Sequence, residues 1–162
     1  MKLLGHGDRK NKTVLYDNPT SKGPDSYEKI RKNKKIMGKS WFYYNKDISY
    51  KYNELGFRTK KIEDIVWKNS IVIFGCSNVE GTGLALEDTV SFRLENILEI
   101  PVVNLGVSGS GIDLACFNSL CIHNNYPHPK AIVQLWSGTA RYTELTGSID
   151  CIKSWDPMLP KK

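Results

Sequence analysis

Ser77 and Gly109 are the residues of this chain whose types and spacing could do chemistry. Ser77 follows a short apolar run, Ile71-Val72-Ile73-Phe74, and the step Gly75-Cys76. Gly109 follows a second apolar run, Pro101-Val102-Val103-Asn104-Leu105, within Gly106-Val107-Ser108-Gly109-Ser110-Gly111. A hydroxyl at the first turn and a backbone N–H at the second are the minimum for acyl transfer, one as nucleophile and the other as donor to the oxyanion that attack creates. Cys76 and Asn78 flank the serine. Cys76 is a second nucleophile by type, although a cysteine directly after a strand is more often a small buried residue.

Chemistry of this kind needs elements that bring the two turns together. Residues 71–111 read as strand, glycine turn, helix, strand, glycine turn. The helix follows Ala85-Leu86-Glu87-Asp88-Thr89, with Asp88 expected as N-cap or first-turn acid and Phe92, Leu94, Ile97 and Leu98 as its apolar face. The spacing predicts a second strand over Val102–Leu105 and a helix from about Ile112 to His123, with Leu114, Ala115, Phe117, Leu120 and Cys121 turned inward. A loop over 124–130 leads to a third strand, Ala131–Trp136. Strand starts near 71, 102 and 131 are the βαβ repeat, which predicts a parallel sheet with right-handed crossovers. Both glycine turns then lie at the carboxyl ends of the strands, where open α/β sheets bind ligands. After Trp136 come Ser137-Gly138-Thr139-Ala140-Arg141 and a tail without strong periodicity.

The 162 residues suit one domain with a sizeable core. The charge is uneven: residues 1–61 carry 16 Lys/Arg against 6 Asp/Glu, and the remainder 7 against 11. The expected organisation is a basic polar arm over 1–40, with a short helix near Tyr27–Lys35, followed by an α/β domain over 41–162 whose core is 70–141. The run Lys29-Ile30-Arg31-Lys32-Asn33-Lys34-Lys35 reads first as a solvated arm. It would also attract nucleic acid, an acidic partner or a membrane surface, but no nucleic-acid recognition module accompanies it. The aromatics of 41–58 read as a strand pair or packed loop covering the sheet edge, with a sugar- or base-stacking platform as the alternative. No run approaches the ~20 apolar residues of a membrane span, and no signal-peptide core stands at the N-terminus, so a cytoplasmic protein is expected. Cys76, Cys116, Cys121 and Cys151 fit no common zinc spacing and are expected as free thiols. No cofactor or metal is implied.

Gly75-Cys76-Ser77-Asn78, with Gly81, Gly83, Glu87-Asp88-Thr89 and Leu94-Glu95, closely resembles the first block of the SGNH (GDSL-type) hydrolases. Val103-Asn104-Leu105-Gly106-Val107-Ser108-Gly109 resembles their second block. The lead-in Tyr52-Asn53-Glu54-Leu55-Gly56-Phe57-Arg58 is similar to the segment before block one in many bacterial members. The resemblance spans about residues 50–141. It implies a three-layer α/β/α, flavodoxin-like fold with strand order beginning 2-1-3. It also implies a metal-independent serine esterase or acyl hydrolase, acting on an acetylated carbohydrate or a lipid ester. Ser77 matches the nucleophile, and the N–H groups of Ser77 and Gly109 match two oxyanion donors.

Three departures stand against that pattern. Cys76 replaces the family's Asp. The third block, Gly-x-Asn-Asp, is replaced by Trp136-Ser137-Gly138-Thr139, with Gly138 where Asn belongs; a Ser137 or Thr139 hydroxyl or a backbone N–H is the substitute donor, and Arg141 is a nearby cation. The C-terminal Asp-x-x-His is absent, since Asp156 is followed three residues on by Leu159. His123 and His128 fall at the amino ends of the strands, opposite Ser77, and His6 lies in the arm without an assigned place. The chain is therefore expected to be shortened at its C-terminus, a reduced domain, or completed by a partner subunit. A shortened sheet would leave 131–136 as an edge open to another chain. The competing reading is a catalytically incomplete binding or structural module. A nucleotide-binding domain built on Gly81-x-Gly83 or Gly106-x-x-Gly109-x-Gly111 lacks the spacing and the lysine such sites need.

Overall fold

A computed structural model describes residues 2–15, 27–45, 48–136, 142–146 and 151–155. At its centre are three parallel strands, β3 (Ile71–Gly75), β4 (Val102–Gly106) and β5 (Ala131–Gln134), in the order β4-β3-β5. The remaining strands form two antiparallel pairs. β1 (Thr13–Leu15) pairs with β2 (Ser49–Lys51), and β6 (Tyr142–Thr146) pairs with β7 (Cys151–Trp155). The helices are α1 (Tyr27–Met37), α2 (Ser77–Glu80), α3 (Val90–Leu98) and α4 (Ile112–Asn125).

β3 is buried along its whole length because both faces of the sheet are covered. Val72, Phe74, Val103 and Leu105 face one layer, with Leu114, Cys121 and Ile122 of α4. Ile71, Ile73 and Val102 face the other, with Val79 of α2 and Val90 and Leu94 of α3. The inward stripe of α4 is Leu114, Asn118, Cys121 and Ile122, the i, i+4, i+7, i+8 pattern. Leu120, expected inward, falls off that stripe and is exposed. For the same reason Phe92, Ile97 and Leu98 of α3 are exposed, and only Leu94 of the expected face packs inward. The N-cap of α3 is Thr89, whose extended backbone lets its hydroxyl accept from the Phe92 N–H at 3.3 Å. Asp88, expected there, lies in the preceding 3₁₀ turn and accepts from Arg93 at 2.8 Å.

The N-terminal segment is no solvated arm over residues 2–15. Leu3 and Leu4 are buried in the core beside α4. The Asn118 side chain meets Leu4 as a strand would, accepting from its N–H and donating to its carbonyl, both at 2.9 Å. A helix does form near the expected place, as α1. Of the aromatics of 41–58, Phe57 is buried in the core with Val72 and Phe74 of β3. Tyr50 and Tyr52 form a separate cluster with Ile48, Val14 and Tyr43, because β2 pairs with β1 rather than with the parallel sheet. β5 is left at the edge, and Ile132 is exposed. The tail, without strong periodicity in its sequence, contains β6 and β7. The Thr143 N–H of β6 donates to Asp113 at 2.7 Å and its hydroxyl accepts from the Gly111 N–H at 3.0 Å, docking β6 at the start of α4.

A close backbone approach at Gly106 helps to set the position of α2. A Cβ built on Gly106 would strike the backbone nitrogen of Glu80 and the Val79 carbonyl carbon. Gly106→Ala is therefore expected to lose about 1–3 kcal/mol, the usual range for overpacking, with the urea midpoint as the measurement.

Candidate active site

The register pairs Gly75 with Gly106, so the two turns leave the sheet side by side. The Val107 N–H donates to the Gly75 carbonyl at 2.9 Å, one residue past the strand ends. Ser77 begins α2 and is partly exposed; Gly109 sits at φ +82°, a left-handed conformation glycine adopts without penalty. The loops touch again where the Thr82 hydroxyl meets that of Ser108 at 3.4 Å. In α2 the first intrahelical acceptor is the Cys76 carbonyl, bonded to the N–H groups of Val79 and Glu80, both at 3.0 Å. The N–H groups of Ser77 and Asn78 precede it and belong to the unpaired first turn of a helix. Cys76 is buried and Asn78 exposed. Ser137, Gly138, Thr139 and Arg141 lie outside the described residues.

Glu80 ends α2, three residues after Ser77, and its side chain is 1% exposed. A carboxylate so deep is tolerable only with its oxygens fully bonded. Oε1 accepts from the Tyr52 hydroxyl at 2.6 Å and from Arg9 at 2.7 Å. Oε2 accepts from the Ser108 N–H at 2.5 Å and lies 2.9 Å from His6 Nε2. Glu80 thereby ties the helix that begins with Ser77 to the turn that carries Gly109. His6 Nε2 is also 3.1 Å from the Ser108 nitrogen. Both nitrogens face one carboxylate oxygen, which assigns an Nε2 proton to the bond with Glu80.

His6 arrives there through close backbone packing. Its N–H donates to the Gly56 carbonyl at 3.3 Å. A Cβ on Gly56, at φ +81°, would strike the His6 carbonyl, and one on Gly5 would strike the Leu55 carbonyl. The turn that presents Gly56 is built by Asn53, whose side-chain oxygen accepts from the N–H groups of Leu55 and Phe57, both at 3.0 Å. Arg58, next in sequence and buried, donates to the carbonyls of Glu80 (3.2 Å), Gly81 (2.9 Å), Leu84 (3.0 Å) and Ser49 (3.2 Å). Its guanidinium lies 4.4 Å from the Tyr50 ring centroid. Arg58 thus clamps the C-terminal end of α2, where Gly81 turns left-handed at φ +78°. Asn104 holds the other flank, donating to the Val79 carbonyl at 2.6 Å.

Burial pushes the Glu80 carboxyl up, but the hydrogen bond and charge of His6, the Tyr52 hydroxyl and the Arg9 charge together outweigh it and hold the group below its ordinary value. Burial, then the Glu80 charge, pushes the Tyr52 phenol well above its own. Glu80 therefore stabilises the fold above the unfolded carboxylate value, about 4.3. That contribution is lost as pH falls through the lower folded value, because the unfolded chain binds the proton first. Stability is expected to fall on acidification below about pH 4.3, and Glu80→Gln is expected to flatten that limb in urea titrations run across the acid range.

The structure brings Ser77 and Gly109 to adjacent turns, as their spacing predicts. It keeps His123, in the last turn of α4, and His128, in the loop before β5, together elsewhere, with ring centroids 5.0 Å apart. Sequence reasoning missed His6, Arg9, Tyr52, Glu80 and Ser108 as one constellation. The available signal was Glu80, a carboxylate one helical turn after Ser77 at the end of a buried strand. Among the described residues, the hydrogen-bond partner of Ser77 Oγ is Cys76 Sγ at 3.9 Å. Cys76, Cys116 and Cys121 are free. Among the described residues no helix is long and apolar enough to cross a membrane, and no three His, Cys, Asp or Glu side chains gather as a metal site. No protein-family model, curated protein or solved structure matches the chain.

Proposed function

We propose that this chain is an SGNH-type serine hydrolase of carboxylic esters, an acetylated carbohydrate or a lipid ester being the substrate class, with Ser77 as nucleophile. The observation that carries the reading is the Gly75–Gly106 register, which sets the serine turn beside the Gly109 turn at the carboxyl ends of parallel strands. Ser77 Oγ attacks the ester carbonyl and passes its proton to a base. The oxyanion receives the N–H groups of Ser77 and Gly109, each worth about 10²–10³ in kcat in comparable sites. The alcohol leaves with the proton, and water then releases the acyl group from Ser77. The base in this reading is His6, oriented by Glu80 as a carboxylate orients a histidine in serine hydrolases. Support for His6 is its place beside the Ser108 turn, whereas His123 stands in the last turn of α4 and His128 in the loop before β5.

The test is a fluorophosphonate probe with the adduct mapped by peptide mass spectrometry. An adduct on Ser77 is expected. A second reading, a binding module without turnover, is favoured by the contact of Ser77 Oγ with Cys76 rather than with a histidine; a folded chain that takes no adduct would establish it.

A further inference from the structure

α1 and the loop after it form a basic surface studded with apolar side chains. Ile30 is buried and anchors the helix. Beyond it, Lys32, Lys35 and Lys39 are exposed. Ile36 is 68% exposed, Met37 49% and Phe42 62%. Lys35 and Ile36 are three and four residues on from Lys32, so these two lysines and Ile36 share one face of the helix. The single acidic residue of α1, Glu28, lies in its first turn, so the exposed C-terminal half is cationic throughout.

A solvated face does not need three large apolar side chains within seven residues, and a surface for nucleic acid would not need the aliphatic Ile36 and Met37. Lysines whose stems lie along apolar neighbours while their ammonium groups reach outward suit an interface that is anionic outside and hydrocarbon inside. From this surface we infer that the protein docks on anionic lipid membranes through α1 and the 38–42 turn, with Ile36, Met37 and Phe42 entering the headgroup boundary and Lys32, Lys35 and Lys39 pairing with lipid charge. The inference is independent of the proposed hydrolase activity.

The test is co-sedimentation of the full chain with vesicles of phosphatidylcholine containing about one third phosphatidylserine, against vesicles of phosphatidylcholine alone. Binding to the anionic vesicles only is expected, weakening as salt rises. The triple variant Lys32→Glu/Lys35→Glu/Lys39→Glu is expected to weaken it by roughly 100-fold or more, since each lysine near such a surface contributes about fivefold. Ile36→Ser/Met37→Ser/Phe42→Ser, all at exposed positions, is expected to weaken it at least tenfold in high salt, where insertion dominates. Equal binding by both variants and the native chain would overturn the inference. So would binding that the serine variant retains in full and a short RNA displaces, which would make the surface a polyanion site. Unfolding midpoints of both variants matching the native chain exclude a folding defect.

Discussion

Exchanging Ser77 for alanine is expected to abolish fluorophosphonate labelling and to lower hydrolysis of a p-nitrophenyl acetate reporter by on the order of 10⁴-fold or more, the scale on which an assembled serine site depends on its nucleophile. Ser77 is partly exposed at the start of α2, so the change should leave the unfolding midpoint nearly untouched. His6→Asn is the informative companion. General base catalysis contributes about 10²–10⁴, and the labelling rate should fall by that factor if His6 takes the serine proton. Asparagine can keep a donor near Glu80, so packing is largely preserved while the basic nitrogen is lost. A fall confined to the labelling rate, with the unfolding midpoint unchanged, separates a base from a mere support. Labelling retained in His6→Asn but lost in Ser77→Ala would remove His6 as base and keep Ser77 as nucleophile.

Glu80→Ala is expected to cost about 3–5 kcal/mol of folding free energy, the usual price of breaking a buried charged network by removing one partner. The deletion strands the Tyr52 hydroxyl and the Ser108 N–H in buried surroundings and leaves the Arg9 guanidinium without its carboxylate. For a chain of this length that corresponds to a fall in Tm of roughly 6–20 °C. Thermal unfolding followed by circular dichroism measures it. Activity should fall further than stability at temperatures where the variant is folded. Without the Glu80 carboxylate as acceptor for the Ser108 N–H, the 107–109 turn loses the tie that fixes Gly109 against α2. A Glu80→Ala chain as stable as the native one would show that the four donors are satisfied by water and that the site is wet.

The parallel sheet was legible because its signals are local. Apolar runs at 71, 102 and 131, each closed by a turn or loop, report three strands and two crossovers, and the strands form at those places. The helix faces were only half legible. Leu120, Phe92, Ile97 and Leu98 are apolar at helical spacing, yet the stripe that packs is decided by where the helix axis lies over the sheet. Asp88 and Thr89 are both good caps by type, and the backbone turn at 86–88 chose the threonine.

What the sequence by itself determined is the order of the three parallel strands with their crossover helices, and the placing of Ser77 and Gly109 at two turns one crossover apart. Their neighbourhood follows from strand period and βαβ handedness, properties a chain carries locally. Only the tertiary structure decided that a lysine-rich N-terminus would supply Leu3 and Leu4 to the core, and His6 and Arg9 to Glu80. These contacts join residues more than seventy positions apart. They depend on backbone approaches at Gly5 and Gly56 too close for any side chain. No periodicity or charge count encodes such a meeting, because it is a buried carboxylate's demand for donors, satisfied by whichever segment the completed fold lays across it.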